Sequence, residues 1–398
     1  MLIAFMGLAF ILLSVYVLWR IIHWLKGVAY CFKHLWTQAL IFFGYIILSS
    51  TIFLGSLLPR SEIQIFIKKI SNYWLGTFIF IIFFLLLADI LVLILKLINK
   101  KKKISILQQK KRYYIIGSVV ILCSFIFSIC GFVHARKVTT RSYDVTVNKK
   151  VEEQSSLKIA LVADFHMGYS IGTEMIEKMV NIINENDVDL VVVAGDIFDN
   201  NYDALDDPEK LKSLLSSIDS KYGVYAVFGN HDVTESLVGG FSIASKENAF
   251  RDDRMEQFLL DSNIKVLTDD VTTIANDSIY LIGRLDAEKP GDGTSNRMSI
   301  EDMTKDLDKS KPIIEIEHEP AKLQEVSESG VDLMLSGHTH AGQFFPLTLV
   351  QPLAWENYNG MLKKNNMYSF VTSGVGIYGP YMRLFTDSEV MIINVEFN

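Results

Sequence analysis

The stretch LKIALVADFHMG, residues 157–168, decides the fold of this chain. Its first six residues are almost all apolar, which is typical of a strand buried on both faces. Asp164 and His166 follow directly, where the carboxyl end of such a strand would lie. The stretches DLVVVAGD at 189–196 and GVYAVFGN at 223–230 repeat this arrangement. We therefore predict three buried strands that each end in polar residues.

Helical stretches alternate with these strands. Residues 173–186 and 208–219 have amphipathic periodicity, so the order is a repeated β-α-β pattern. Further strands are predicted at 278–282, 312–317, 331–335, 369–372 and 390–395. We expect an α/β domain over 157–398, with one or two sheets and flanking helices, preceded by a charged linker at 135–156.

Metal-binding side chains follow five of these strands. They are Asp164, His166, Asp196, Asn230, His318, His338 and His340. The five histidines of residues 136–398 are these four and His231, and all of them lie just after predicted strands, whereas core or surface histidines should scatter. The domain has no cysteine, so a thiolate site is excluded. Because ligands gather at the carboxyl ends of strands, we expect one site for two divalent ions. An aspartate would join the ions, and a hydroxide bridging them would hydrolyse a phosphoester.

Five short blocks carry a resemblance to a known family. They are DFHMG (164–168), GDIFD (195–199), GNHD (229–232), HEP (318–320) and GHTHAGQ (337–343). In this order they resemble the motifs of the calcineurin-like metallophosphoesterase superfamily. With the closing segment and the N-terminal helices, the chain is similar to a membrane-attached bacterial branch. The resemblance implies a sandwich of two mixed sheets flanked by helices, and two ions of Mn, Fe or Zn.

The resemblance also implies a role for each matching residue. The first ion would be held by Asp164, His166, Asp196 and His340, and the second by Asp196 as the bridge, Asn230, His318 and His338. His231 would donate to the phosphoryl oxygen or protonate the leaving group. Asp199 or Asp232 would orient this imidazole, and of the two we favour Asp199. Arg383 is a candidate phosphate contact, with a loop salt bridge as the alternative.

The N-terminal third has a different character. Four apolar runs, at 2–22, 35–58, 73–98 and 113–133, are each long enough to cross a bilayer, which predicts a four-helix transmembrane anchor over 1–134. Loops one and three carry 11 Lys and Arg, including the run 100–103, against six on the opposite side. We therefore expect a multi-pass cell-membrane protein whose catalytic domain is extracytoplasmic.

Charge narrows the choice of partner. Residues 1–135 carry a net charge of +12 and residues 136–398 a net charge of −19. A domain this acidic lacks the basic surface that nucleic acid requires, so a small or lipid-borne phosphoester is favoured, with membrane lipids around the anchor. The alternative is a membrane-bound, metal-dependent sensor or binding protein without turnover.

Three features leave alternatives open. Asp89 lies in a predicted span, and we expect a protonated or water-reaching packing residue; a transport role is the alternative. The loop 236–253 is a lid or a plain insertion. The apolar segment within 343–366 is expected to fold back on its own core, and the alternatives are an approach to the bilayer or an acyl-chain groove.

Overall fold

The chain divides into two compact units in the computed structural model. One unit consists of Met1–Val133, Leu237–Ile243 and Gly379–Met382, and the other of His134–Ser236, Ala244–Tyr378 and Arg383–Asn398. The structure describes residues 2–59, 61–98, 106–151, 154–235, 237–238, 241–242, 249–291 and 297–398. The lysine run 100–103 and half of the loop 236–253 lie outside these residues, so the alternatives for that loop stay open.

The first unit contains the four predicted membrane helices. They are α1 (Leu2–Val28), α2 (Leu35–Leu57), α3 (Glu62–Ile98) and α4 (Ile106–His134). All four are long and apolar enough to cross a membrane. The helices α1, α3 and α4 extend beyond the predicted apolar runs, because helix formation continues into polar residues that would lie near the bilayer surface.

An ion pair inside the first unit corrects the interpretation of Asp89. Nη1 of Arg20 lies 2.8 and 2.7 Å from the two carboxylate oxygens of Asp89, and the hydroxyl of Tyr16 also donates to that carboxylate. Arg20 is counted among the basic residues of the first loop in the topology prediction, but it lies within the predicted run 2–22 and within α1. Asp89 therefore has a basic partner, as acids in membrane helices usually do.

The second unit is a sandwich of two mixed sheets, as predicted. The elements of the remaining chain are β1 (Val138–Val147), β2 (Ser156–Val162), α5 (Thr173–Glu185), β3 (Leu190–Ala194), α6 (Pro208–Ser216), β4 (Val224–Val227), β5 (Leu237–Val238), β6 (Phe241–Ser242), α7 (Asp253–Asp261), β7 (Ile264–Val266), β8 (Asp270–Ile274), β9 (Ile279–Gly283), α8 (Ile300–Thr304), β10 (Ile313–Ile316), α9 (Leu323–Glu328), β11 (Leu333–Ser336), α10 (Gln351–Ala354), β12 (Gly360–Lys364), β13 (Met367–Val371) and β14 (Ser388–Phe397). One sheet has the strand order β1-β14-β2-β3-β4-β7 and the other β12-β13-β11-β10-β9-β8.

The main core lies between the two sheets. Leu161 and Val192 from the first sheet and Ile314, Leu335 and Phe370 from the second belong to one cluster of buried side chains. A smaller cluster joins the outer face of the second sheet to α8 and α9. Burial on both faces explains why the central strands are continuous apolar runs instead of alternating ones.

The predicted linker at 135–156 contains a strand, which corrects the domain boundary. The ten-residue strand β1 pairs in parallel with β14, from Val138 opposite Ser388 to Val147 opposite Phe397. As an edge strand with one covered face, β1 buries only Val145 and Val147 fully. Charged and hydroxyl residues fill most of its other positions, and they conceal the strand pattern in the sequence.

The two sheets bring the motif loops together. The strands β2, β3 and β4 are parallel neighbours in one sheet, and β10 and β11 are parallel neighbours in the other. Parallel strands end at the same edge of a sheet, so the five loops that follow these strands can meet at one place.

Candidate metal centre

The backbone of the motif loops turns sharply just after the strands. Asp164, His166, Asp196, His338 and His340 all have positive φ angles, between 46° and 71°. Side chains other than glycine rarely adopt this left-handed conformation, and its local cost is typical of functional sites. This backbone conformation costs the loops some stability, and it directs five potential ligand side chains toward the site.

Glycine is required where two loops approach each other. Gly195 has a φ of +82°, and a Cβ atom there would lie 2.6 Å from Nδ1 of His318. No side chain fits at that distance, so the glycine of GDIFD permits contact between the β3 and β10 loops.

The first group of potential ligands is Asp164, His166 and His340. The Nε2 atoms of His166 and His340 lie 3.1 Å apart, and Oδ1 of Asp164 lies 3.8 Å from Nε2 of His340. The three side chains are buried, and one ligand atom from each lies within 4.8 Å of the others. Imidazole nitrogen and carboxylate oxygen at these separations could coordinate one divalent ion.

The second group is Asp196, His318 and His338, with Asn230 beside it. Oδ1 of Asn230 lies 3.2 Å from Nε2 of His318 and 3.1 Å from Nδ1 of His338. Nδ1 of His318 lies 2.8 Å from the carbonyl oxygen of Ala194, to which it donates. That hydrogen bond leaves the lone pair on Nε2, pointing into the group, as a metal ligand needs.

Asp196 faces both groups. Its Oδ2 atom lies 3.6 Å from Nε2 of His166 in the first group and 3.1 Å from Nε2 of His318 in the second. Its other oxygen, Oδ1, accepts a hydrogen bond of 2.8 Å from the backbone N–H of His231. One oxygen of Asp196 is thus placed between the two groups, and the other fixes the orientation of the carboxylate.

The imidazole of His231 is oriented by Asn200, which is not among the residues predicted from the sequence. Oδ1 of Asn200 lies 2.7 Å from Nδ1 of His231, so Asn200 makes the hydrogen bond predicted for Asp199. Burial lowers the pKa of His231 to about 3, and this imidazole is therefore neutral near pH 7. Asn200 was identifiable only as the residue after GDIFD, because an uncharged amide gives no electrostatic signal in a sequence.

Asp232, the other residue predicted to orient His231, bonds instead to backbone N–H groups of two loops. Its Oδ1 atom accepts hydrogen bonds of 2.8 Å from the backbone N–H groups of Ile197 and Phe198, and its Oδ2 atom accepts one of 2.8 Å from Gly229. The carboxylate therefore joins the loop after β3 to the loop after β4, and it does so through the backbone.

Arg383 is fully buried and bonded to backbone carbonyls. Its Nη2 atom donates to the carbonyl oxygens of Ser373 at 2.6 Å and Gly376 at 2.8 Å, and Nη1 donates to that of His340 at 3.3 Å. These contacts hold the His340 turn against the loop after β13. They favour a positioning role, and the phosphate contact stays a prediction.

Comparison with known proteins agrees with this arrangement. A model of the family described as calcineurin-like phosphoesterase matches residues 157–342, which include both ligand groups and His231. Residues 157–342 are a calcineurin-like phosphoesterase domain. The family implies divalent metal ions, and the two ligand groups of this phosphoesterase domain fit them in residue type and spacing.

Similar proteins occur in bacteria and animals. An uncharacterized metallophosphoesterase of Campylobacter jejuni is 29% identical over 254 residues, 61% of this chain and 60% of that protein. One of Helicobacter pylori is 30% identical over 251 residues, 60% of each chain. A transmembrane protein with metallophosphoesterase domain from Danio rerio is 30% identical over 256 residues, 62% of this chain and 55% of that protein. The match thus spans less than two thirds of the length of these relatives.

The charge balance of the phosphoesterase domain suits bound cations. Burial lowers the pKa of His166 to about 4 and that of His338 to about 3, so both are neutral ligands near pH 7. Burial opposes a charge on His318, but Asp196 and Asp164 raise its pKa well above the usual value. Positive charge is therefore favoured between these carboxylates, which is where a divalent ion would lie.

Two aromatic rings contact the histidines of the centre. The ring of Tyr378 lies 4.3 Å from that of His231 and 5.1 Å from that of His166, measured between ring centroids. The ring of Trp355 lies 5.1 Å from that of His338. Neither residue is predicted from the sequence to belong to the site, because both follow the motif blocks at a distance along the chain. Both rings therefore belong to the immediate surroundings of the ligand groups.

Proposed function

We propose that this protein is a membrane-anchored phosphoesterase that hydrolyses a phosphomonoester or a phosphodiester at a site for two divalent ions. The observation that carries the proposal is the position of Oδ2 of Asp196, which faces both ligand groups. A carboxylate oxygen can serve two cations at once and offset their repulsion. Mn, Fe and Zn suit the mixture of imidazole, carboxylate and amide ligands.

The seven predicted ligands divide between the two ions. Asp164, His166, Asp196 and His340 would hold the first, and Asp196, Asn230, His318 and His338 the second. When bound, the ions would lower the pKa of a water molecule to supply a nucleophile near neutral pH and would polarise the phosphoryl group.

His231 would complete the reaction. Its Nδ1–H donates to Asn200, so Nε2 on the far side of the ring is available to the substrate. An anionic phosphoryl group beside the ring would raise the low pKa of this imidazole and favour a proton on Nε2. His231 would then donate that proton to a phosphoryl oxygen or to the leaving group. Tyr378, whose ring packs against that of His231 at an angle of 35°, would keep the imidazole in place.

The substrate we propose is small or lipid-borne. Residues 136–398 carry a net charge of −19, and two divalent ions offset only a small part of it. Such a surface repels a polyphosphate backbone, which disfavours nucleic acid. A headgroup ester in the same membrane brings a single phosphoryl group to the site.

We also propose that the phosphoesterase domain is extracytoplasmic. The lysine-rich loops one and three would lie in the cytoplasm, since basic loops are retained there. In a chain whose native cysteines are replaced, a reagent that cannot cross membranes should label Ser156→Cys in intact cells. Lys110→Cys, at the start of α4, should react only after lysis. The reverse pattern would place the domain in the cytoplasm.

The hydrolysis itself is tested with the purified full chain in detergent. Wild-type protein supplied with Mn²⁺, Fe²⁺ or Zn²⁺ should hydrolyse an aryl phosphomonoester or diester. Asp196→Asn should lower kcat/KM by at least about 100-fold, the upper range for loss of a group that orients a metal ligand. Asp219→Asn, an exposed aspartate after α6, is the matched control and should match wild type. A wild-type chain that is inert with every ion would favour the binding role instead.

A further inference from the structure

An exposed apolar surface lies on the second unit. We define the apolar rim patch as Leu347, Leu349, Val350, Leu353 and Phe385, whose exposed fractions are 44%, 64%, 54%, 86% and 74%. Four of them belong to the apolar segment within 343–366, which is predicted from the sequence to fold back on its own core. The structure corrects that expectation, because these large side chains point into solvent.

The patch is held in a defined shape. Val350 N–H donates to the carbonyl of Leu347, and Leu353 N–H donates to that of Val350, which coils the segment into short helical turns. Phe345 connects Phe385 to the segment, since their ring centroids lie 6.1 Å apart. Water-exposed apolar groups in an ordered, hydrogen-bonded segment are costly and typically mark an interaction surface.

Other exposed apolar residues of this unit are scattered. Within the part of the second unit that the structure describes, they are Phe250, Leu260, Val271, Met298 and Met361, and no two of them share a helix, a strand or a loop. Single residues of this kind are ordinary on a soluble surface. The concentration of five in the patch is therefore the feature that requires an occupant.

The patch borders the metal centre. Leu353 is two residues from Trp355, whose ring lies 5.1 Å from that of His338. At the other end of the segment, Phe344 is buried and follows the GHTHAGQ block directly. An occupant of the patch would therefore lie beside the entrance to the ligand groups.

The bilayer is the occupant that the chain itself supplies. Four helices able to cross a membrane precede the phosphoesterase domain. The last of them ends at His134 and β1 begins at Val138, so three residues connect the two elements. Three extended residues span about 10 Å, which keeps the domain close to an apolar phase. A second copy of the chain would have to be recruited, whereas the lipid is always present.

We propose that the apolar rim patch inserts into this bilayer and places the entrance of the metal centre at the lipid surface. Apolar side chains that enter the headgroup boundary are a common way for a protein to bind a membrane surface. Insertion does not depend on the proposed hydrolysis. The preference for lipid-borne esters that follows from it does rest on that function.

Insertion is tested with the full chain in vesicles of phosphatidylcholine and phosphatidylglycerol. In a chain without native cysteines, an environment-sensitive fluorophore is attached to Leu353→Cys or to Leu260→Cys, the matched exposed leucine in α7. Lipids with nitroxide-labelled acyl chains should remove most of the emission at position 353 and little at position 260. Equal quenching at the two positions, or crosslinking between copies at position 353 without quenching, would overturn the proposal.

An activity measurement separates this proposal from the proposed function. The double variant Leu349→Ser/Leu353→Ser should hydrolyse a soluble aryl phosphoester at the wild-type rate and phosphatidic acid in vesicles several-fold more slowly. Equal losses on both substrates would overturn the link between patch and substrate. If wild type hydrolyses neither ester, the proposed function fails, while the quenching experiment still decides insertion.

Discussion

Nδ1 of His231 lies 2.7 Å from Oδ1 of Asn200, so a neutral amide orients the imidazole at the metal centre. A carboxylate in that place would stabilise the imidazolium before substrate arrives. With an amide, the ring would stay neutral until an anionic substrate favoured its protonation. His231 would therefore take up its second proton only when the substrate is bound.

Removing the amide should impair turnover more than binding. We expect Asn200→Ala to lower kcat by about 10- to 100-fold with little change in KM, because general acid catalysis contributes 10²- to 10⁴-fold and depends on ring orientation. Asn200→Asp should shift the pH profile of kcat upward, since a negative charge raises the pKa of His231. Asp199→Asn is the matched control. A larger loss in Asp199→Asn than in Asn200→Ala would assign the orienting role to Asp199.

The carboxylate of Asp232 should matter for stability. Asp232→Asn replaces one acceptor oxygen by an N–H₂ group that faces backbone N–H donors, which leaves buried groups unsatisfied. We expect the free energy of unfolding to fall by about 2–3 kcal/mol, and the Tm by roughly 5–10 °C. Differential scanning fluorimetry of the full chain measures this. Asp219→Asn should keep the wild-type Tm, and an unchanged Tm in Asp232→Asn would refute the assignment.

The pair of Arg20 and Asp89 should stabilise the first unit. Asp89→Asn leaves the guanidinium of Arg20 without a counter-ion in a helix able to cross a membrane, where an unpaired charge typically costs about 2.5–3.5 kcal/mol. We expect less protein in the membrane fraction and a lower Tm. Arg20→Met combined with Asp89→Leu removes both charges and should recover most of the loss. A double variant as unstable as Asp89→Asn would contradict the pairing.

Glu315 should make stability depend on pH. Burial and the neighbouring Glu317 raise the pKa of Glu315 to about 8, from 4.5. Folding therefore favours the protonated carboxyl, and its contribution is complete below about pH 4.5 and is lost as the pH rises through about 8. Glu315→Gln keeps the neutral shape and an acceptor for Arg284. Its Tm should exceed that of wild type at pH 9, with a gap that narrows toward pH 5; a gap independent of pH would be inconsistent with this pKa.

The sequence predicts those parts of the fold that consist of strong local patterns. The central strands β2, β3 and β4 are buried on both faces, so their apolar runs are visible without a structure. The edge strand β1 is half exposed, and its pairing with β14, more than 200 residues later, has no local signature. The pair of Arg20 and Asp89 is missed for a related reason, because the two residues lie 69 positions apart on different helices and no local pattern encodes their contact.

The candidate site, like the fold, is predicted only in part from the sequence. Histidines are rare enough that their positions after strands identify the ligand groups, and the structure brings all seven predicted ligands together. The roles of Asn200 and Asp232 depend on how two loops meet, which no spacing within one motif encodes. For Arg383 the sequence suggests a phosphate contact, and the backbone partners that favour a positioning role are visible only in the structure.

The metal content of the purified full chain tests the central claim most directly. After saturation with a divalent ion and removal of the excess, inductively coupled plasma mass spectrometry should find about two ions per wild-type chain. In Asp196→Asn it should find at most about one, because Oδ2 of Asp196 faces both ligand groups. A single ion in saturated wild type, or two ions retained by Asp196→Asn, would contradict the account.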